Sequence, residues 1–259
     1  MGKIRIPIVI LLLGGSLTGH AQVGHAQAGQ VSDFARVVVV PDSVLPSSPT
    51  HQLVPSGKRH SIFYISFTAG MSNGIFFPAS LAERRLKGVR LTLADGGYVE
   101  EGSLRLRIAT RGSQGAPADD NMLPAPVEIA TSTLQRIRQQ LIIVWPQRPI
   151  KVPSNGFFVV IEAVGLTPTE YCDSTETARR ATRPRRFIQG LVFDSQHPTA
   201  PPRQIDLAAC PQLMTAKPAP GIENWIRGTP LRSWEHRSYC DYCDIPADYY
   251  TIFAELILE

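Results

Sequence analysis

The densest group of reactive side chains lies between Trp234 and Tyr250, in the stretch WEHRSYCDYCDIPADYY. It sets His236, Cys240, Asp241, Cys243, Asp244 and Asp248 among Tyr239, Tyr242, Tyr249 and Tyr250. A C-x-x-C pair beside a histidine has the ligand types of a tetrahedral zinc site, which thiolate and imidazole suit. Cys172 and Cys210 would complete a four-thiolate set. Against zinc, only one C-x-x-C is present, and an exported chain, as the N-terminus marks this one, seldom keeps free thiolates. The four cysteines are therefore expected as disulfides, in one of three pairings. They would tie segment 170–220 to the loop before the last strand. A thioredoxin-like redox role is not expected, because no βαβ pattern surrounds Cys240 and Cys243.

The same cluster has the makings of a ligand platform. Aromatic faces stack on sugar rings while carboxylates accept hydrogen bonds from hydroxyls. Trp225, Trp234, Tyr239 and Tyr242, with Asp241 and Asp244, supply both, at a spacing that is not that of a core. Five arginines between Arg179 and Arg186 form a basic run, read as a solvated loop neutralised by nearby acids. Asp119, Asp120 and Asn121 offer oxygen ligands, but calcium takes six to eight and a local triplet does not supply them. Glu100 and Glu101 are neighbours, and neighbours on a strand point apart, so they make no acid/base pair. The exported part has no H-E-x-x-H, no G-x-S-x-G and no phosphate-binding glycine loop. Its histidines, His51, His60, His197 and His236, are scattered. No catalytic residue is assigned, and neither calcium nor zinc is expected as a cofactor.

Location follows from the first 28 residues. Lys3 and Arg5 precede the apolar run Ile6–Leu13, and small residues follow, giving cleavage sites near Ala21 or Ala28. The apolar run is too short to span a bilayer, which takes about 20 residues. Residues 1–28 are thus expected as a signal peptide, and 29–259 as one domain without a transmembrane segment, in the periplasm, at the cell surface or outside the cell. Losing Lys3 and Arg5 lowers the formal charge from +4 to +2, too little to imply nucleic acid as a partner.

The elements that position these residues read as strands. The 259-residue chain holds 20 glycines and 22 prolines, well above the roughly 12% of an average protein, so turns are frequent. Val37–Val40 forms a first strand, ended by Pro41. His60–Phe67, Ile75–Phe77, Val127–Thr131 and Leu141–Trp145 are strand-like in composition. Lys87–Ala94 alternates, with Val89, Leu91 and Leu93 on one face, and Asp95-Gly96-Gly97 then turns. Leu104, Leu106 and Ile108 alternate with Arg105 and Arg107, which predicts one buried and one wet face. The turn Pro153-Ser154-Asn155-Gly156 launches a strand to Val164, with Phe157 and Phe158 on opposite faces, one for the core and the other to pack under a loop. Ala79–Leu86 reads as a helical turn capped by Ser80. Segment 170–220 reads as an irregular insertion, and Ile222–Trp234 as two short strands. The apolar Tyr249–Leu258 should lie inside a sheet, since such a strand at an edge would aggregate.

The series KGVRLTL, LRLRIAT, VEIATSTL, LIIVWP, IKVPSNGFFVVIE and YYTIFAELIL resembles secreted β-sandwich modules of gram-negative envelope proteins. These modules often lie beside carboxypeptidase-regulatory-like domains, and their function is generally unassigned. The resemblance covers about 61–165 and the last strand, and Val152–Glu162 is its sharpest part. It implies a jelly-roll-like sandwich similar to carbohydrate-binding modules, and it carries no site residues.

The expectation is an all-β, antiparallel, jelly-roll-like sandwich with a disulfide-tied insertion. It would serve as an exported, non-catalytic binding or structural module for glycan, peptide or an envelope protein. A secreted glycosidase-like hydrolase on the same scaffold is one alternative, and a protein–protein assembly component the other. Oligomeric state is not legible in the sequence.

Overall fold

The computed structural model describes residues 35–41, 52–97, 101–135, 138–145, 148–166, 189–192, 203–206, 210–236 and 250–259. The leader, Cys172, the Arg179–Arg186 run and Tyr239, Cys240, Asp241, Tyr242, Cys243 and Asp244 lie outside the described residues. The chain is all-β. The N-terminal strands are β1 (Arg36–Pro41), β2 (Gln52–Pro55), β3 (Gly57–Ser66), β4 (Ser72–Phe77), β5 (Arg85–Asp95) and β6 (Ser103–Ala109). Then come β7 (Val127–Ala130), β8 (Gln139–Val144), β9 (Ile150–Lys151) and β10 (Phe157–Val164). The remainder supplies β11 (Gln189–Val192), β12 (Arg203–Asp206), β13 (Gln212–Pro218), β14 (Glu223–Arg227) and β15 (Glu235–His236), then β16 (Thr251–Ile252) and β17 (Ala254–Leu258).

All of the pairings among these strands are antiparallel. The smaller of the two main sheets runs β15-β14-β4-β10-β6-β7. The larger runs β1-β8-β5, and beyond β5 its next position is shared. β13 pairs with the C-terminal end of β5 and β17 with the rest of it. β2 then flanks β17, while β3 flanks β13. The last segment changes neighbours at Phe253, whose N–H donates to the Met214 carbonyl at 2.8 Å. β17 lies between β5 and β2, the interior place its apolar sequence predicts.

Ser56 pins this junction. The bend between β2 and β3 buries it fully. Its hydroxyl donates to the Ile252 carbonyl at 2.8 Å and accepts from the Ala254 N–H at 3.0 Å. Its own N–H donates to the Ala254 carbonyl, and its carbonyl accepts from the Ala219 N–H. One small side chain thus satisfies backbone groups left bare where strands change partners; an unmade bond there would cost about 1–3 kcal/mol.

Alternation along the strands builds the core between the two sheets. Val89, Leu91 and Leu93 of β5 and Leu141 and Ile143 of β8 share one apolar cluster with residues from the opposite sheet. Those include Leu104, Leu106 and Ile108 of β6 and Phe157, Val159 and Ile161 of β10. Trp145 is the largest fully buried side chain, and its Nε1 donates to the Leu86 carbonyl at 2.7 Å.

Several expectations shift. Ala79–Leu86 holds only a 3-10 turn, Ala79–Leu81, with Pro78 rather than Ser80 at its cap, because Ala82 already has an extended ψ. β13 falls inside the range expected as an insertion, yet it is a full member of the larger sheet. Pro211 and Pro218 obscure it in the sequence, although Leu213 faces the core while Met214 and Ala216 join a smaller apolar cluster with Phe253. Ile222–Trp234 yields one strand, β14, and β15 begins just after it.

Candidate functional site

The six-stranded sheet turns its second face away from the core. There period-two alternation gathers Phe76, Ala109, Phe158 and Val160 into a separate apolar cluster with the half-buried Trp225 and Trp234. Register sets the face out in rows. One row reads Trp225, Gly74, Val160 and Arg107 across β14, β4, β10 and β6. The next reads Glu223, Phe76, Phe158 and Ala109. The third reads Arg227, Ser72, Glu162, Arg105 and, on β7, Glu128. Gly74 is the low point of the first row. A Cβ there would stand 2.7 Å from Pro117 Cγ, too close for Pro117 to keep its place on the sheet, and in ordinary contact with the Trp234 ring at 3.6 Å.

Charged groups hold the aromatic rings. Arg111 lies over the Phe76 ring, 4.3 Å from its centroid, and its Nη2 donates to both carboxylate oxygens of Glu223 at 3.0 and 3.2 Å. Trp225 Nε1 donates to Glu223 Oε2 at 3.1 Å, which fixes the plane of that indole. Phe158 and His236 meet the Trp225 ring edge to face, His236 at 5.0 Å. Arg227 lies over Trp234 at 4.8 Å. Glu162 Oε1 accepts from Arg107 Nε at 3.3 Å and from Arg227 Nη2 at 3.4 Å.

A loop folds back over one side of this face. Arg107 Nη1 donates to the carbonyls of Ala118 and Asp120 at 2.6 and 2.9 Å. The alternation of β6 marked Arg107 for a wet face, but this loop buries it to 5% exposure. Asp120 Oδ1 accepts the Thr110 N–H, and Asn121 Oδ1 accepts those of Ile108 and Leu123, so these oxygens shape their own loop. No group of three or more His, Cys, Asp or Glu suited to a metal ion occurs among the described residues.

Of the expected platform, the structure thus brings together Trp225 and Trp234. Cys210 is buried, and the other expected platform and disulfide residues lie outside the described residues. Among the described residues, the carboxylates of this face are Glu223, bonded to Trp225, and Glu162, and its cations are Arg107, Arg111 and Arg227. Sequence reasoning missed this set. The signal was available in Glu223-x-Trp225-x-Arg227, where period two puts acid, indole and guanidinium on one side of a strand. The arrangement can hold a ring and accept or donate hydrogen bonds around it. No protein-family model, curated protein or solved structure matches this chain.

Proposed function

We propose that the chain is an exported, non-catalytic binding module of the cell envelope, and that it takes glycan on the outer face of the six-stranded sheet. The observation that carries this reading is the setting of Trp225 and Trp234. They stand half-buried on the face opposite the core, with the Trp225 indole fixed by Glu223 and Trp234 overlain by Arg227. A rigid indole loses little entropy when a sugar ring stacks on it, which favours binding. Glu162 and Glu223 are both engaged by arginine, which suits positioning better than glycosidic acid/base chemistry. The reading extends to jelly-roll-like connectivity and to an exported chain whose cysteines form disulfides. Intact mass with and without reductant checks the last point: two disulfides would add about four hydrogens on reduction, and an unchanged mass would remove them from the reading.

The binding reading has its own test. Affinity electrophoresis through neutral and acidic polysaccharides should retard the protein, and Trp225→Ala should weaken the retained interaction at least tenfold, about 1.4 kcal/mol. The circular dichroism spectrum should stay unchanged. Retardation by no polysaccharide would point instead to an assembly component.

A further inference from the structure

We propose that the ligand of this face is a carboxylate-bearing glycan, and that its carboxylate is received by Arg227 in place of Asp119. This rests on the binding reading above and narrows it to one chemical class.

The three guanidinium groups of this face are unevenly satisfied. Arg111 holds the Glu223 carboxylate through both oxygens. Arg107 has Glu162 and two loop carbonyls. Arg227 has only the shared Glu162 Oε1, at a long 3.4 Å, and its Nε meets no acceptor among the described residues. The Nε1 of Trp234, the ring beneath it, is likewise a buried donor without an acceptor. Two guanidiniums thus lean on one carboxylate oxygen, and the shortfall falls on Arg227.

What completes the charge is Asp119, and its hold is weak. Asp119 Oδ1 is 3.8 Å from Arg227 Nη1, beyond hydrogen-bond reach, and its side chain is 93% exposed. Arg227 itself is only 16% exposed, but its partner is almost fully in water, and a counter-ion so solvated and so distant contributes little. Asp119 is a loosely held counter-ion at the rim of the aromatic face. A guanidinium fork donates two parallel bonds to a planar carboxylate, a geometry Asp119 does not achieve. A uronate ring on the indoles could deliver such a carboxylate to Arg227. This selection needs one local cation, so it is compatible with a chain of nearly neutral overall charge.

The test uses the exported full chain in calorimetric titrations with polygalacturonate, alginate and hyaluronan, each beside its carboxyl-reduced form. At least one acidic polymer should bind about tenfold or more tightly than its reduced form. Arg227→Gln should erase that preference. Asp119→Asn, a change at an exposed side chain, should tighten acidic binding several-fold and leave the reduced form unaffected. Equal affinity for acidic and reduced forms would overturn this inference while leaving the glycan reading intact. Loss of acidic binding in Asp119→Asn would also overturn it, since Asp119 would then be an ally of the ligand. Binding to none of the polymers, acidic or reduced, would overturn both.

Discussion

Gly156→Ala is expected to destabilise the fold by about 3 kcal/mol or more, from the sum of a backbone and a packing term. In a chain of this size that is a fall in Tm of roughly 6–12 °C. Gly156 has φ +80°, where a Cβ costs about 1–2 kcal/mol. Space adds the second term. The new Cβ would stand 2.5 Å from the Phe77 carbonyl oxygen and 2.6 Å from Phe76 Cζ. Neither can retreat. Phe77 faces Phe157 in the β4–β10 ladder, and the Phe76 ring is held between Phe158 and Arg111. Gly165 is the control. It also has positive φ, 62°, but its nearest neighbour to an added Cβ is 3.7 Å away. Gly165→Ala should therefore lose only the backbone term. Thermal unfolding of the two variants separates the effects, and equal losses would show that the crowding at Gly156 is relieved cheaply.

That turn was legible because its chemistry is local. Asn155-Gly156 announces a positive φ, and the alternation after it assigns Phe157 and Phe158 to opposite faces, as the two separate apolar clusters bear out. The same local logic recovered β1, β5, β6, β8 and the interior place of the last strand. What escaped was set by distant partners. β2 is a weak strand by composition, QLVP, and it exists because β17 offers it a ladder. β13 lies between prolines, and pairing with β3 and β5 makes it a strand. Pairing energy from residues some 120–200 positions away leaves no mark on a short local window.

The candidate site divides in the same way. Trp225 and Trp234 stood out as aromatic residues outside any core period, and both pack against the one apolar cluster of the outer face. The charges around them were sought close by in sequence, at Asp241 and Asp244. Among the described residues, the charges on this face come partly from Trp225's own strand, Glu223 and Arg227, and partly from other strands: Arg107 from β6, Glu162 from β10, and Arg111 just beyond β6. Strand order decides which acid meets which base, and a linear reading has no access to strand order. Arg107 shows the cost of that gap, since its alternation was read correctly but the loop that buries it could not be foreseen.

Glu255→Ala is expected to cost about 3–5 kcal/mol, although Glu255 touches neither the core between the sheets nor the aromatic face. Glu255 is the one charged residue within β17, and register sets it directly opposite Arg90 of β5. Arg90 Nε donates to Glu255 Oε2 at 2.5 Å, and the two side chains are only 9% and 12% exposed. Removing the acid leaves a guanidinium that water hardly reaches, and an uncompensated buried charge accounts for most of the loss. The pair itself need not stabilise, because the desolvation of both ions offsets much of their attraction. The double variant Arg90→Met with Glu255→Leu should therefore recover to within about 1 kcal/mol of the parent, or exceed it. Urea unfolding of the parent, both single variants and the double closes the cycle. A double variant as unstable as Glu255→Ala would mean that the pair contributes net stability. A loss below about 1 kcal/mol in Glu255→Ala would mean that water reaches Arg90 and screens it as it does a surface ion. The expected pattern would explain an acid in an otherwise apolar terminal strand: it fixes the register of β17 against β5, since a shift by one residue would bury Glu255 in the core.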